Sequence, residues 1–161
     1  MNNGLSRPLP NQAASFDQID RKIIGELVSD GRVPFAELGR RVNLSSPAVA
    51  ERVRRLEHAG VITGYRAEID PRALGYPLTA IVRVKPVGGQ LRRIQELAAQ
   101  IPEVAECHRI TGEDCFYLKV HLRSIDVLGE LLDRFLAYGE TTTSIINASP
   151  VPGRSPPPVA E

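Results

Sequence analysis

Residues 34–60 read PFAELGRRVNLSSPAVAERVRRLEHAG, and this stretch decides the fold of the first part of the chain. Its apolar residues recur at helical spacing and predict a short helix over Phe35–Val42, with Phe35 facing inward. A second helix is predicted to begin at Ser45 or Ser46. The two residues between these helices, Asn43 and Leu44, predict a tight turn.

The second of these helices has two different faces. Val49, Val53 and Leu56 form a single apolar stripe, and Gly60 marks the end of the helix. The opposite face carries small, acidic and basic side chains, namely Ala48, Glu51, Arg52, Arg54, Arg55 and His58. In the preceding short helix, Gly39 is unfavourable by about 1 kcal/mol relative to alanine, so we expect a close helix crossing there.

Another helix precedes this pair. It is predicted to begin at Asp17, with Asp20 three residues later as the second carboxylate of a capping-box-like pair. Its apolar face follows a helical period and consists of Ile19, Ile23, Ile24, Leu27 and Val28.

Two short helices joined by a tight turn, the second rich in arginine, form the geometry that places a helix in the major groove of DNA. Small residues near the start of such a helix can approach base edges, and arginines reach guanine or phosphate. The alternative is a solvated amphipathic helix of a small bundle, because Arg52, Arg54 and Arg55 lie among Glu51 and Glu57. The short preceding helix and Gly39 favour DNA binding.

Composition and charge restrict the class of protein. The chain has 161 residues with 42% hydrophobic and 24% charged residues, which is typical of a globular protein, and it has no apolar run long enough to span a membrane. Residues 1–64 carry nine basic and seven acidic side chains, a net charge of +2, so one copy would bind a polyanion weakly. We therefore expect DNA binding by an oligomer, and a cytoplasmic location because no signal peptide is evident.

The pattern changes after residue 60. Residues 61–69 alternate as a strand interrupted by Gly64, and Pro71, Gly75 and Pro77 suit a hinge. The elements that follow have the order βαββαβ, which predicts a ferredoxin-like domain. They are a strand over residues 78–85, a helix containing Leu91–Ile101, strands over 104–110 and 115–122, a helix capped by Ser124, and a strand over 142–148.

The hairpin turn Thr111–Asp114 sets the register of the two central strands. That register places Cys107 opposite Leu118 and away from Cys115, so we expect no disulfide between the cysteines. The three histidines have no metal-like spacing and no nucleophile beside them, so we expect neither a metal nor a cofactor, and no enzyme activity. The half-apolar second face of the sheet predicts dimerisation; it carries Thr79, Ile81, Arg83, Lys85, Tyr117, Lys119 and His121.

Several runs of sequence resemble the Lrp/AsnC, or feast/famine, family of prokaryotic transcriptional regulators. They are Arg32–Leu38, Leu44–Val49, Glu51–Glu57 and Gly60–Arg66, together with the Asp17 and Asp20 pair. The resemblance extends from about Phe16 to Ser149. It implies a winged helix-turn-helix followed by a βαββαβ domain, an α+β architecture. It also places Ser46, Pro47, Ala48, Glu51, Arg52 and Arg55 on the DNA-reading face, which Arg54 joins from the helix pattern.

The same resemblance implies dimers that assemble into tetramers or octamers on double-stranded DNA, with an amino acid bound between dimers as effector. The family's hairpin typically reads Gly-Asp-aromatic-Asp-Tyr, whereas this chain reads Gly112-Glu-Asp-Cys-Phe116. A carboxylate in that turn would take an α-ammonium group, and turn N–H groups would take an α-carboxylate. The expected effector residues are Gly112, Glu113, Asp114, Thr142, Thr143 and Ser144.

The predicted organisation has five parts. They are a flexible arm (residues 1–15), a winged helix-turn-helix domain (16–64), a hinge strand and linker (65–77), a dimerisation and effector domain (78–149) and a disordered tail (150–161). Two other functions remain open at this stage. One is a βαββαβ small-molecule sensor or interaction module that does not bind DNA, and the other is an enzyme of the ferredoxin-like class, for which no acid–base pair is evident.

Overall fold

The computed structural model describes residues 17–157, so the predicted arm (1–15) and the end of the predicted tail (158–161) lie outside the described residues. The chain divides into two compact units: the helices as far as Ala67 belong to one, and residues 68–152 form the other. Within residues 17–157, no helix combines the length and apolar character that a membrane span requires.

The first unit contains three helices: α1 (Gln18–Ser29), α2 (Phe35–Val42) and α3 (Ser46–His58). The predicted capping box is confirmed, because the Asp17 side chain accepts from the Asp20 N–H and the Asp20 side chain accepts from the Asp17 N–H. Ser45 caps α3 through the Ala48 N–H. The apolar core between the helices is formed by Ile23, Val33, Leu38, Val42, Val49, Val53 and Leu56. Phe35, predicted to face inward, is instead 41% exposed at the start of α2.

The turn between α2 and α3 is built on two residues. Asn43 adopts the left-handed conformation at φ 58°, which asparagine tolerates better than most residues. The Leu44 N–H donates to the Gly39 carbonyl at 2.9 Å, and a Cβ on Gly39 would lie 2.5 Å from the Leu44 carbonyl oxygen. The close approach predicted at Gly39 is therefore made by the turn itself, not by a crossing helix.

The segment after α3 corrects one expectation. Residues 61–69 form no strand within the part of the chain that the structure describes, so the alternating pattern predicted as a strand here does not form one. A strand needs a hydrogen-bonded partner, and Gly64 at φ 149° interrupts the alternation. The linker then makes a short 3-10 turn, Pro71–Leu74, capped by Asp70 and ended by Gly75 at φ 87°.

The second unit confirms the predicted βαββαβ order. Its elements are β1 (Leu78–Pro86), α4 (Leu91–Gln100), β2 (Val104–Arg109), β3 (Phe116–Leu122), α5 (Ile125–Leu136) and β4 (Gly139–Ile145). The four strands form one antiparallel sheet in the order β2-β3-β1-β4. The last strand begins three residues earlier than predicted, since Gly139 already pairs with Pro86.

The register of the sheet separates its two faces. Cys107 lies opposite Leu118, as predicted, and both cysteines are free. One face is covered by α4 and α5 and forms the larger core, which includes Val82, Val84, Phe116, Leu118, Ile94 and Phe135. The other face carries the partly exposed side chains of Ile81, Arg83, Tyr117 and Lys119, and we call it the open face.

Candidate nucleic-acid interface and ligand site

The exposed surface of α3 begins at its N-terminal end. Ser46 and Pro47 are exposed and Ala48 is half-buried, so small side chains occupy the first turn. Glu51 and Arg54 follow as exposed residues and pair with each other at 2.9 Å. Because both side chains are largely solvated, this ion pair contributes little to stability and is free to exchange for other partners.

The other two arginines of α3 contact their own chain. Arg52 donates through Nη1 to Asp17 Oδ2 at 2.6 Å and to Asp20 Oδ1 at 2.8 Å, and its side chain is 25% exposed. Arg55 donates through Nη2 to Asp20 Oδ2 at 2.6 Å but remains 59% exposed. Asp20 itself is buried, and its side chain is 2% exposed.

These ion pairs also change proton affinities. The Asp20 N–H and then the Arg52 guanidinium lower the pKa of Asp17, and the hydrogen bonds to Asp17 and Asp20 raise the pKa of Arg52. Sequence reasoning assigned Asp17 and Asp20 only to helix capping and missed these bonds.

The residues predicted to bind an effector are only partly brought together. Glu113 pairs with Lys85 at 2.9 Å, and Asp114 lies 3.4 Å from Arg83. Gly112, at φ 109°, forms the turn that presents both acids. Lys85 lowers the pKa of Glu113 through its hydrogen bond and its charge. Neither basic residue was predicted to belong to this site, although both lie on the strand next to the turn.

The strand β4 contributes to two different faces. Thr142 lies opposite Arg83 and Ser144 lies opposite Ile81, so both belong to the open face. Thr143 lies opposite the buried Val82, and its hydroxyl is buried without a hydrogen-bond partner among the described residues. Its side chain therefore faces the core beneath the helices and cannot share a surface site with Thr142 and Ser144.

Comparison with known proteins agrees with both units. Residues 16–57 match the family model of the AsnC-type helix-turn-helix domain, and residues 79–156 match that of the Lrp/AsnC ligand binding domain. The HTH-type transcriptional regulator LrpC of Bacillus subtilis is 37% identical over 131 residues, covering 81% of this chain and 91% of LrpC.

Solved structures show the same relationship. The structure of Bacillus subtilis LrpC has a TM-score of 0.80 at 36% identity, covering 84% of this chain and 96% of that one. A feast or famine regulatory protein of Mycobacterium tuberculosis, complexed with L-methionine, has a TM-score of 0.80 at 35% identity, covering 89% of this chain and all of that chain. A transcriptional regulator of Neisseria meningitidis in complex with L-Met has a TM-score of 0.81 at 25% identity, covering 88% and 95%. The chain therefore belongs to the Lrp/AsnC family and is a DNA-binding transcriptional regulator.

Proposed function

We propose that the exposed surface of α3 contacts DNA, with its small N-terminal residues at base edges and its arginines at guanine or phosphate. Two residue groups make up this surface. The first group consists of the exposed residues Ser46, Pro47, Glu51, Arg54 and Arg55 together with the half-buried Ala48. The second is Arg52, which is partly covered and forms ion pairs with Asp17 and Asp20. The observation that carries the proposal is the turn at Gly39 and Asn43, which leaves the capped N-terminal end of α3 exposed.

Alanine variants test this surface. Arg54→Ala removes a solvated guanidinium, so binding should weaken for all duplexes and the slope of log affinity against log salt should fall by about one. Arg52→Ala should also weaken binding and flatten the salt dependence, but less than Arg54→Ala, because its charge is already balanced internally. Electrophoretic mobility shifts over a salt series measure both effects. Variants that change thermal stability but leave the salt slope intact would contradict the assignment.

We also propose that the open face joins two copies of the chain. Ile81 and Tyr117 lie on this face beside charged residues, and Glu106 pairs with Lys119 at 3.2 Å. A two-fold dimer would present two α3 helices to successive major grooves about 34 Å apart, and assembly to tetramers or octamers would add further duplex contacts. The substitution Ile81→Glu should convert the protein to a monomer in sedimentation velocity, whereas Leu136→Glu, on an exposed position of α5, should not.

The third part of the proposal concerns an amino-acid effector. The turn Gly112–Asp114 supplies two carboxylates for an α-ammonium group, and Arg83 and Lys85 supply cations for an α-carboxylate. Thr142, next to Arg83, and Ser144 add hydroxyl groups on the same face. Two relatives are complexed with methionine, which makes L-methionine the first ligand to test.

Isothermal titration with L-methionine and the other amino acids, together with sedimentation in their presence, measures this response. Glu113→Ala and Asp114→Ala should preserve DNA binding and abolish the change in assembly. An unchanged response would place the effector elsewhere. Binding to chromosomal DNA further implies action in the cytoplasm, which fractionation would check.

A further inference from the structure

A buried carboxylate lies directly behind the proposed DNA-contacting surface. Each oxygen of Asp20 accepts a hydrogen bond from a different arginine of α3, at 2.8 Å from Arg52 to Oδ1 and at 2.6 Å from Arg55 to Oδ2. Oδ2 also accepts the capping-box bond from the Asp17 N–H at 3.4 Å. A buried carboxylate without a partner is strongly unfavourable, so the two guanidinium groups stabilise Asp20. Asp20 in turn holds both guanidinium groups in place.

The two arginines differ in what remains available to a ligand. Arg52 uses the same Nη1 atom for Asp17 and Asp20, and three quarters of its side chain is covered. Arg55 uses only Nη2 in its bond to Asp20, and most of its side chain is in solvent. A guanidinium has five N–H donors in a planar fork, so the Arg55–Asp20 bond restrains the group through one nitrogen and leaves most of its donors free.

We propose that Asp20 is a positioning residue for sequence-specific DNA recognition and that it acts through Arg55. The inference rests on the proposed DNA-contacting surface of α3. A flexible arginine loses rotamer freedom when it binds a base, and prior fixation by a carboxylate reduces that loss. This reduction of the entropy loss increases affinity only for a contact that needs one orientation of the guanidinium, such as a bidentate bond to guanine. A phosphate contact tolerates many orientations, so Asp20 should affect the preference for the correct site more than general DNA affinity.

The variant Asp20→Asn tests this inference. Two probes are needed: a duplex selected by the wild-type protein from a random-sequence pool, and a scrambled duplex of the same length and composition. Removing one negative charge should raise affinity for the scrambled duplex, since it increases the positive potential near DNA. The ratio of the two affinities should fall by about fivefold or more, which is the lower range for a lost base contact.

Asp17→Asn is the matched control. It removes the same charge from the same ion-pair cluster and takes one of the two carboxylate partners from Arg52, which keeps its bond to Asp20. Asparagine remains a good N-cap, and the Asp20–Arg55 bond is untouched. The affinity ratio of this variant should remain close to the wild-type value. An equal fall in both variants would show that charge or Arg52 is responsible and would overturn the role assigned to Asp20.

A double-mutant cycle tests the route through Arg55. If Asp20 acts through Arg55, then Asp20→Asn should change the affinity ratio in the wild-type background but not in Arg55→Ala. A further fall in the Arg55→Ala background would contradict that route. If neither Arg54→Ala nor Arg55→Ala alters DNA binding, the DNA-contacting surface itself is wrong, and that result is distinct from failure of the positioning role.

A second variant keeps the test decisive if Asp20→Asn does not fold. Arg55→Lys retains the charge at a largely exposed position but replaces the planar fork with an ammonium group. Affinity for the scrambled duplex should be unchanged, and the ratio of the two affinities should fall by about fivefold or more. A lysine variant that keeps the full preference would show that the restrained guanidinium of Arg55 is not used.

Discussion

The first unit, with the helices as far as Ala67, and the second unit, residues 68–152, hold their acidic residues in different environments. We call them the helical unit and the sheet unit. In the helical unit, Asp20 is 2% exposed and lies under Arg52 and Arg55, which come from another helix. In the sheet unit, Glu113 is 84% exposed and its partner Lys85 is 49% exposed. Loss of one partner from a buried ion pair strongly destabilises the fold, because a buried charge is left without compensation. In an exposed ion pair, water readily replaces either partner.

This contrast separates structural charges from exchangeable ones. The buried cluster around Asp20 fixes the start of α1 against α3 and is required whether or not DNA is bound. The ion pairs of Lys85 with Glu113 and of Arg83 with Asp114 can open without loss of a packed core. Opening is what an amino-acid ligand would need, because it brings one ammonium and one carboxylate of its own.

The largest expected effect on stability results from replacing Asp20. Replacing it by alanine removes the shared acceptor of two arginines, and we expect the free energy of unfolding of the helical unit to fall by about 3 kcal/mol, the lower end for a broken buried pair. Glu113→Ala is the control in the sheet unit, and it should leave the denaturation midpoint unchanged. Amide hydrogen exchange resolves the two units separately. Equal effects of the two variants would remove the distinction between buried and exposed pairs.

The next effect concerns the turn that presents α3. A methyl group on Gly39 would meet the Leu44 carbonyl oxygen, so Gly39→Ala should destabilise the helical unit by about 1–3 kcal/mol. Gly25, within α1, has no atom within 4 Å of an added Cβ. Gly25→Ala should therefore stabilise the same unit by about 0.5–1 kcal/mol. Chemical denaturation of both variants measures the difference, and two shifts of the same sign would contradict the steric argument.

Local patterns predicted most of this fold. The capping box at Asp17, the stripe of Val49 and Val53, and the register that places Cys107 opposite Leu118 all depend on residues close in sequence. The strand predicted over residues 61–69 is absent for a physical reason, because alternating apolar residues form a strand only where a pairing partner is available. Residues 61–69 find none among residues 17–157.

The candidate sites were less predictable. The bonds from Arg52 and Arg55 to Asp20 join residues more than 30 positions apart, and no local pattern specifies which acid faces which arginine. Thr143 is a different case. Side chains alternate along a strand, so Thr143 and its neighbours Thr142 and Ser144 could have been separated from the sequence alone. The residues that lie together on the open face are those two positions apart.

The smallest expected effect is a difference in thermal stability between variants of two exposed helix caps. Asp17 caps α1 and is bonded to Arg52 of α3, whereas Asp70 caps the 3-10 turn and is bonded to Arg72 within it. Both pKa values are lowered, that of Asp17 chiefly by the Asp20 N–H and that of Asp70 chiefly by Arg72.

A lowered pKa in the folded state means that the stabilisation is present above the ordinary value of 3.8 and is lost as the pH falls through the folded value. Asp17→Asn and Asp70→Asn should each unfold at a lower temperature than the wild type at neutral pH, and each difference should vanish in acid. The Asp17 difference should be the larger, because its partner is three quarters covered and comes from another helix, whereas Arg72 is largely in solvent. Equal differences in the thermal midpoint would mean that the Asp17–Arg52 bond adds nothing beyond a local cap.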